Sequence, residues 1–270
     1  MTLSKDVGLA VVTGASSGIG AVYADRLAAR GHDLLLIARR ADRLESVAAR
    51  LRDQYGVGVA IEVADLAAAE DLARVADRLR ASDLSFLVNN AGVGGLGATS
   101  AVSAERLESV IHINVTALTR LSHAALEVFR ARGSGTLVNI GSIIALTPSG
   151  GAPAYSGSKA YVLNFTRSLQ VEYADSAIRI QLVQPGPIRT EFFAAAGTTE
   201  DIFPADTFLS AEQLVDAAFA GLAAGEAVTT PSLLETEIWD ALESRRIAFM
   251  EAVRSGQVAR RYGIVVKEDA

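Results

Sequence analysis

The chain has 270 residues, with 25 Lys and Arg against 31 Asp and Glu and a formal charge of −6. The two signs are interspersed, which argues against an extended nucleic-acid surface. Cysteine is absent, which excludes disulfides and thiolate chemistry, and half of the residues are hydrophobic, ample for the core of one large α/β domain or two small ones.

Short apolar runs alternate with longer amphipathic stretches. Val7–Thr13, Asp33–Ala38, Val57–Val63, Ser85–Asn89, Gly135–Ser142 and Ile178–Val183 read as strands. They are mostly continuous rather than alternating, as strands buried on both faces of a parallel sheet are. Between them, Ile19–Arg30, Arg43–Tyr55, Ala68–Arg80, Ala104–Arg132 and Pro153–Asp175 read as helices, with Gly31 and Gly56 as stops after the first two. Repeated β-α units imply an α/β fold: a single-domain, doubly wound parallel sheet of Rossmann type with helices on both faces. Beyond Pro185 the pattern loosens, and residues 186–208 show no period. A helix at Ala211–Ala223, a short strand near Val228 and an amphipathic stretch at Thr236–Arg254 follow. With no repeat, low-complexity tract or linker, one domain over 1–270 is expected. It has a mobile substrate-side segment at 186–208 and a C-terminal helical extension at 232–262. The apolar run Val7–Val12 is too short for a signal-peptide core, and no run approaches a membrane span, so a cytoplasmic protein is expected.

Tyr155 and Lys159 lie one helical turn apart on one face. A neighbouring ammonium favours phenolate, so the pair is expected to lower the tyrosine pKa and to give and take protons near neutral pH. The loop Thr13-Gly14-Ala15-Ser16-Ser17-Gly18-Ile19-Gly20 stands between the first strand and the first helix. Its glycines permit a tight turn and close approach to a pyrophosphate, with the helix N-terminus facing the anion. Gly92-Val93-Gly94-Gly95-Leu96-Gly97 matches the same spacing, but no helix starts cleanly behind it, and it reads as a flexible loop over the site. The second strand ends in Ala38-Arg39-Arg40, where an NAD-dependent enzyme usually carries an acid for the ribose. Two guanidiniums there suit a 2′-phosphate and point to NADP(H) over NAD(H), through Arg39 with Arg40 assisting. The other reading is that both residues belong to a solvated helix start, as Arg43 does. Three histidines without ligand spacing speak for no metal site.

These residues resemble the short-chain dehydrogenase/reductase family in its short, single-domain, NADP-preferring form. The resemblance runs to about Thr190 and more weakly beyond. Its markers occur in the family's order: the Thr13–Gly20 loop, Asp65, Asn89-Asn90-Ala91-Gly92, Asn114, Ser142, Tyr155 with Lys159, and Pro185 to Thr190. The three-residue gap between Gly14 and Gly18 resembles this branch rather than the sugar-nucleotide epimerase branch. The resemblance implies a catalytic tetrad of Asn114, Ser142, Tyr155 and Lys159. Tyr155 exchanges the proton, Lys159 lowers its pKa and bonds the nicotinamide ribose, Ser142 holds the substrate oxygen, and Asn114 holds a water in a proton path. Around the cofactor it implies Gly14, Ser16, Ser17, Gly18, Ile19 and Gly20 at the pyrophosphate, with Asp65 and Leu66 at the adenine. Asn90 and Gly92 lie along the adenosine side, and Pro185, Gly186, Ile188 and Thr190 close over the nicotinamide. Asn89 reads as structural, bonding neighbouring strands.

The substrate side falls to Val93–Ser100, Ile143–Gly151 and the segment after Thr190, with Leu96, Ile144, Leu146, Phe192, Phe193, Phe203 and Phe208. Few charges lie there, so an apolar or mildly polar carbonyl or alcohol is expected as the small-molecule substrate. The family often forms homodimers or homotetramers through helices at 104–132 and 153–175. The stripe at Thr236–Arg254 adds to that interface, covers the cleft or packs as core. The alternative to an oxidoreductase is a cofactor-binding sensor or scaffold of the same fold without turnover.

Overall fold

The computed structural model describes residues 7–264. Contacts divide the chain into two units, with the boundary between Ser232 and Leu233.

The first unit is built on seven parallel strands: β1 (Leu9–Thr13), β2 (Asp33–Ala38), β3 (Val59–Val63), β4 (Leu84–Asn89), β5 (Gly135–Ile140), β6 (Ile178–Val183) and β7 (Val228–Thr229). Their order across the sheet is β3-β2-β1-β4-β5-β6-β7. The chain winds outward from β1 through α1 (Gly18–Ala28) and α2 (Ala41–Tyr55), then returns by α3 (Ala69–Arg80) to place β4 beside β1. That reversal opens a crevice at the carboxyl ends of β1 and β4, where ligands of such sheets bind.

The continuous apolar runs serve both faces at once, because successive side chains point to opposite sides. Ala10, Val12, Leu34 and Leu36 pack with Tyr23 and Leu27 of α1 and Leu44 and Leu51 of α2. Their neighbours Val11, Leu35, Ile37 and Leu87 pack with Leu72, Val75 and Leu79 of α3 and with Leu121 and Phe129 on the other face. At the end of α2, Gly56 takes a left-handed conformation (φ 67°) and donates to the Arg52 carbonyl, the stop its sequence position predicts.

Asn89 on β4 and Asn139 on β5 are register partners. The Asn89 amide nitrogen donates to Asn139 Oδ1 and to Ser122 Oγ, both at 3.0 Å. Asn139 Nδ2 donates to Thr166 Oγ1 at 3.0 Å. This buried polar chain ties the centre of the sheet to helices on its flank, although Asn89 Oδ1 itself is buried without a hydrogen-bond partner.

The helix predicted at 104–132 is not one regular helix. It consists of α4 (Ala104–Ile111), a π turn at His112–Ala117 and α5 (Leu118–Arg132). Next in chain order come α6 (Pro153–Glu172), the one-turn α7 (Phe192–Ala195) and α8 (Ala211–Ala224). The aperiodic segment 186–208 is a run of single turns, α7 and two 3-10 turns, which are too short to show a period. An isolated bridge from Ile188 to Leu209 pins its ends.

In the second unit, α9 (Thr236–Ala252) buries no residue, and Ile238, Leu242, Ile247, Phe249 and Met250 of its apolar stripe are exposed. No helix among the described residues is long and apolar enough to cross a membrane.

Candidate active site

The glycine loop leaves the end of β1 under tight steric control. Gly14 has φ 67°, and a Cβ there would lie 2.8 Å from Asn90 Nδ2 and 3.0 Å from Ala91 Cα. A Cβ on Gly20 would lie 2.5 Å from Asn90 Nδ2 and collide with the Gly14 carbonyl. Asn90 braces the loop from β4: its side-chain amide donates to Thr13 O at 2.9 Å and Gly14 O at 3.3 Å. Thr13 Oγ1 returns the tie, accepting from the backbone nitrogens of Asn90 and Ala91. Ser17 stands at the N-cap of α1 but makes no side-chain cap bond. The first-turn amides are thus left for an anion at the positive end of the helix dipole.

At the end of β2, Arg39 and Arg40 are exposed and differ in their partners. Among the described residues Arg39 meets no hydrogen-bond or ion-pair partner. Arg40 donates to Ser17 Oγ (2.9 Å), Ser16 Oγ (3.2 Å) and Glu191 Oε2 (3.0 Å). Arg43 does more than start a helix, since it reaches Glu191 Oε1 at 2.6 Å. The two guanidiniums hold the Glu191 carboxyl below the usual carboxylate range, Arg43 contributing most. Asp65 follows β3, where its Oδ1 accepts from Ala67 N at 3.0 Å.

The tetrad residues come from three elements. Asn114 sits in the π turn, a departure from regular helix often found at functional sites. Its amide is fully used: Oδ1 accepts from Val93 N (2.9 Å), and Nδ2 donates to Val93 O and Ser158 Oγ, both at 3.0 Å. Ser142 caps the short turn after β5 and accepts from Ile144 N at 3.3 Å. Tyr155 and Lys159 share a face of α6, with Lys159 Nζ 5.8 Å from the Tyr155 ring centroid. Buried Lys159 donates to Ile140 O at 2.8 Å. A Cβ built on Gly92 would lie 3.4 Å from Asn114 Oδ1 and 3.8 Å from Lys159 Nζ, so that glycine keeps the space between them open.

The pKa directions correct one expectation. Burial pushes the Tyr155 phenol up to about 12, and a hydrogen bond from Ser142 opposes this only in part. The same loss of water pulls Lys159 down to about 8. The ammonium spends its hydrogen bond on a carbonyl rather than on the phenol. Desolvation, which one helix face cannot reveal, therefore outweighs the attraction read from the spacing.

These groups border one cavity of about 860 Å³. One end is lined by Gly14, Ser16, Ser17, Gly18, Ile19, Arg39, Arg40, Asp65, Leu66, Asn90 and Gly92. Ser142, Tyr155, Lys159, Pro185, Gly186, Ile188 and Thr190 line it further along. Gly20 and Asn114 do not reach its wall. Gly20 is packed against the Gly14 carbonyl and the Asn90 amide, and Asn114 bonds Val93, which is on the lining. The other end is apolar, with Leu96, Ile143, Ile144, Phe192, Phe193 and Phe203. The Phe192 ring lies 5.4 Å from that of Tyr155. Two expected substrate residues are not on the lining. Leu146 is exposed, and Phe208 stands behind the wall, its ring 5.8 Å from that of Phe193. Pro148, within the expected Ile143–Gly151 stretch, is on the lining, whereas the sequence reading missed Ile113 and Arg106 there. Arg106 carried no signal, because an arginine on an amphipathic helix reads as solvated.

A family model described as short chain dehydrogenase matches residues 8–201. The short-chain dehydrogenase from Sphingobium yanoikuyae, solved in complex with NADPH, is 43% identical with a TM-score of 0.90, over 94% of this chain and 100% of that one. The bulky-bulky ketone specific alcohol dehydrogenase from Comamonas testosteroni is 37% identical with a TM-score of 0.87, over 96% of this chain and 99% of that one. Among curated proteins, the inactive hydroxysteroid dehydrogenase-like protein 1 of Pongo abelii is 35% identical over 188 residues, 68% of this chain and 57% of that protein. The chain spans less than two thirds of the length of the curated relatives it matches first.

Proposed function

The chain belongs to the short-chain dehydrogenase family, and on that premise we propose that it is an NADP(H)-dependent oxidoreductase. It interconverts a carbonyl and an alcohol on an apolar or mildly polar small molecule, with Tyr155 as general acid/base. The observation that carries the reading is one cavity with Ser142, Tyr155 and Lys159 between a glycine cradle and an apolar end. The cradle fits a dinucleotide: side chains are barred at Gly14 and Gly20, Ser17 makes no side-chain cap bond to α1, and Arg39 has no partner among the described residues. The NADPH held by the Sphingobium relative and the bulky ketones named for the Comamonas enzyme support the cofactor and substrate class.

When bound, the nicotinamide carries the hydride. In reduction, the Tyr155 hydroxyl gives its proton to the carbonyl oxygen while the carbonyl carbon gains the hydride, and an alcohol results. In oxidation the same oxygen takes the proton back. Ser142 donates to the substrate oxygen as charge grows on it. Lys159, held by Ile140 O, stabilises the phenolate left behind. The space kept open by Gly92 between Lys159 and Asn114 is where a relay water resupplies the proton. The protein is cytoplasmic in this reading and associates as a homodimer or homotetramer through the outer faces of α5 and α6. A strictly monomeric sedimentation profile would remove that part.

A spectrophotometric screen of carbonyls and alcohols with both cofactors tests the reading, with Tyr155→Phe as control. Turnover that survives loss of the hydroxyl contradicts the mechanism. The likeness to a relative named inactive keeps a second reading, a cofactor-binding sensor. NADPH binding without oxidation across a broad carbonyl panel would favour it.

A further inference from the structure

Of the charged side chains that line the cavity among the described residues, Arg39, Arg40 and Asp65 stand at the cofactor end, Glu191 is paired with Arg40 and Arg43, and Lys159 belongs to the tetrad, which leaves Arg106 as the one beside the apolar end without an ion-pair partner. It is half-buried, in the first turn of α4. A cation there meets the positive end of the helix dipole, so its position does nothing for the helix. Among the described residues no carboxylate lies in ion-pair reach of it. One guanidinium nitrogen donates to Ala195 O at 3.0 Å. A guanidinium has five N–H donors in a fixed fork, so most of its capacity remains for a planar anion.

We propose that Arg106 binds a carboxylate on the substrate. On this inference the substrates are apolar ketones, or their alcohols, that bear one carboxylate remote from the reacting carbon. This rests on the oxidoreductase reading and narrows its substrate class. The apolar walls take the body of the molecule, Tyr155 and Ser142 meet its carbonyl, and Arg106 fixes the far end. Within a cavity walled by Leu96 and Phe192 the charge is poorly screened, which strengthens the contact. The bond to Ala195 O could alternatively make Arg106 a plain tie between α4 and α7, and the test separates the two roles.

The test compares benzoyl-alkanoic acids of increasing chain length with their methyl esters, as substrates for the wild type, Arg106→Lys and Arg106→Leu. The wild type should prefer the acid over its ester in kcat/KM at one tether length, mainly through KM. That preference should weaken with added salt, survive in part in Arg106→Lys and fall about tenfold in Arg106→Leu. A plain tie would lower acid and ester by the same factor. An acid-to-ester ratio that Arg106→Leu leaves unchanged overturns the proposal. Calorimetric titration with the same acids distinguishes failure of the underlying reading. Acid binding that Arg106→Leu abolishes supports the site even without turnover, whereas absence of turnover with every substrate refutes the oxidoreductase. Acid binding equally tight in Arg106→Leu overturns the site whether or not turnover is seen.

Discussion

The two ends of the cavity are held by different forces. At the cofactor end, Asn90 and Thr13 lock the glycine loop with directional hydrogen bonds, and glycines bar any side chain from the cradle. At the substrate end, Phe192, Phe193, Phe203 and Phe208 pack ring against ring at centroid distances from 5.6 to 6.2 Å. Hydrogen bonds fix one geometry, while ring contacts tolerate several at similar energy. A dinucleotide needs the first kind of wall, and a site that accepts varied apolar bodies needs the second.

The largest expected effect lies between the two ends. Tyr155→Phe should lower kcat by about 10²–10⁴-fold while NADPH binding, followed by fluorescence, persists. Next comes Lys159. Burial lowers its pKa to about 8, so the folded chain gives up this proton at a lower pH than the unfolded chain does. Below about pH 8 the buried charge costs about 3 kcal/mol, and that cost is relieved as pH rises from about 8 to about 10. Tyr155, shifted upward, acts with the opposite sign only above about pH 10. Lys159→Met should thus be more stable than the wild type at pH 7 by up to that amount, less about 1 kcal/mol for the lost bond to Ile140 O. Urea titrations should show the difference closing by about pH 10, and a pH-independent difference would refute the assignment.

The comparison itself is tested by a pair of variants. Asn90→Ala should weaken NADPH binding about tenfold by freeing the loop, with little change in substrate KM. Phe193→Ala should raise KM by a similar factor and leave the NADPH Kd near its original value. Movement of both constants in both variants would show that the ends are not independent. The smallest effect is expected from exposed Arg39, whose replacement by Ala should cut the NADPH-to-NADH preference about fivefold, and an unchanged preference would sink its role.

The division also decided what could be read from the chain. The cofactor end rests on short-range rules, so the glycine loop, the buried strands and the positions of Ser142, Tyr155 and Lys159 were legible. Asn89 as a strand-bonding residue was legible too, since a polar residue in an apolar strand must find a partner. Whatever depends on three-dimensional burial was not. The raised phenol pKa needs the surroundings of Tyr155, and the π turn changes hydrogen bonding without disturbing the apolar pattern around it. The segment 186–208 folds as isolated turns whose order comes from ring contacts rather than from a repeat. Arg106 was invisible because nothing in its own helix tells which way it faces.

The π turn at His112–Ala117 sets the rotational phase between α4 and α5. Each residue turns a helix by about 100°. Removing one residue from this turn would restore regular winding and rotate everything before it about its axis by that angle. Arg106 would swing off the cavity while Leu121 and Phe129 stayed seated in the core. The single extra residue thus lets one length of helix serve two masters, a packed sheet at one end and a ligand at the other. Its deletion should separate stability, largely kept, from substrate recognition, lost.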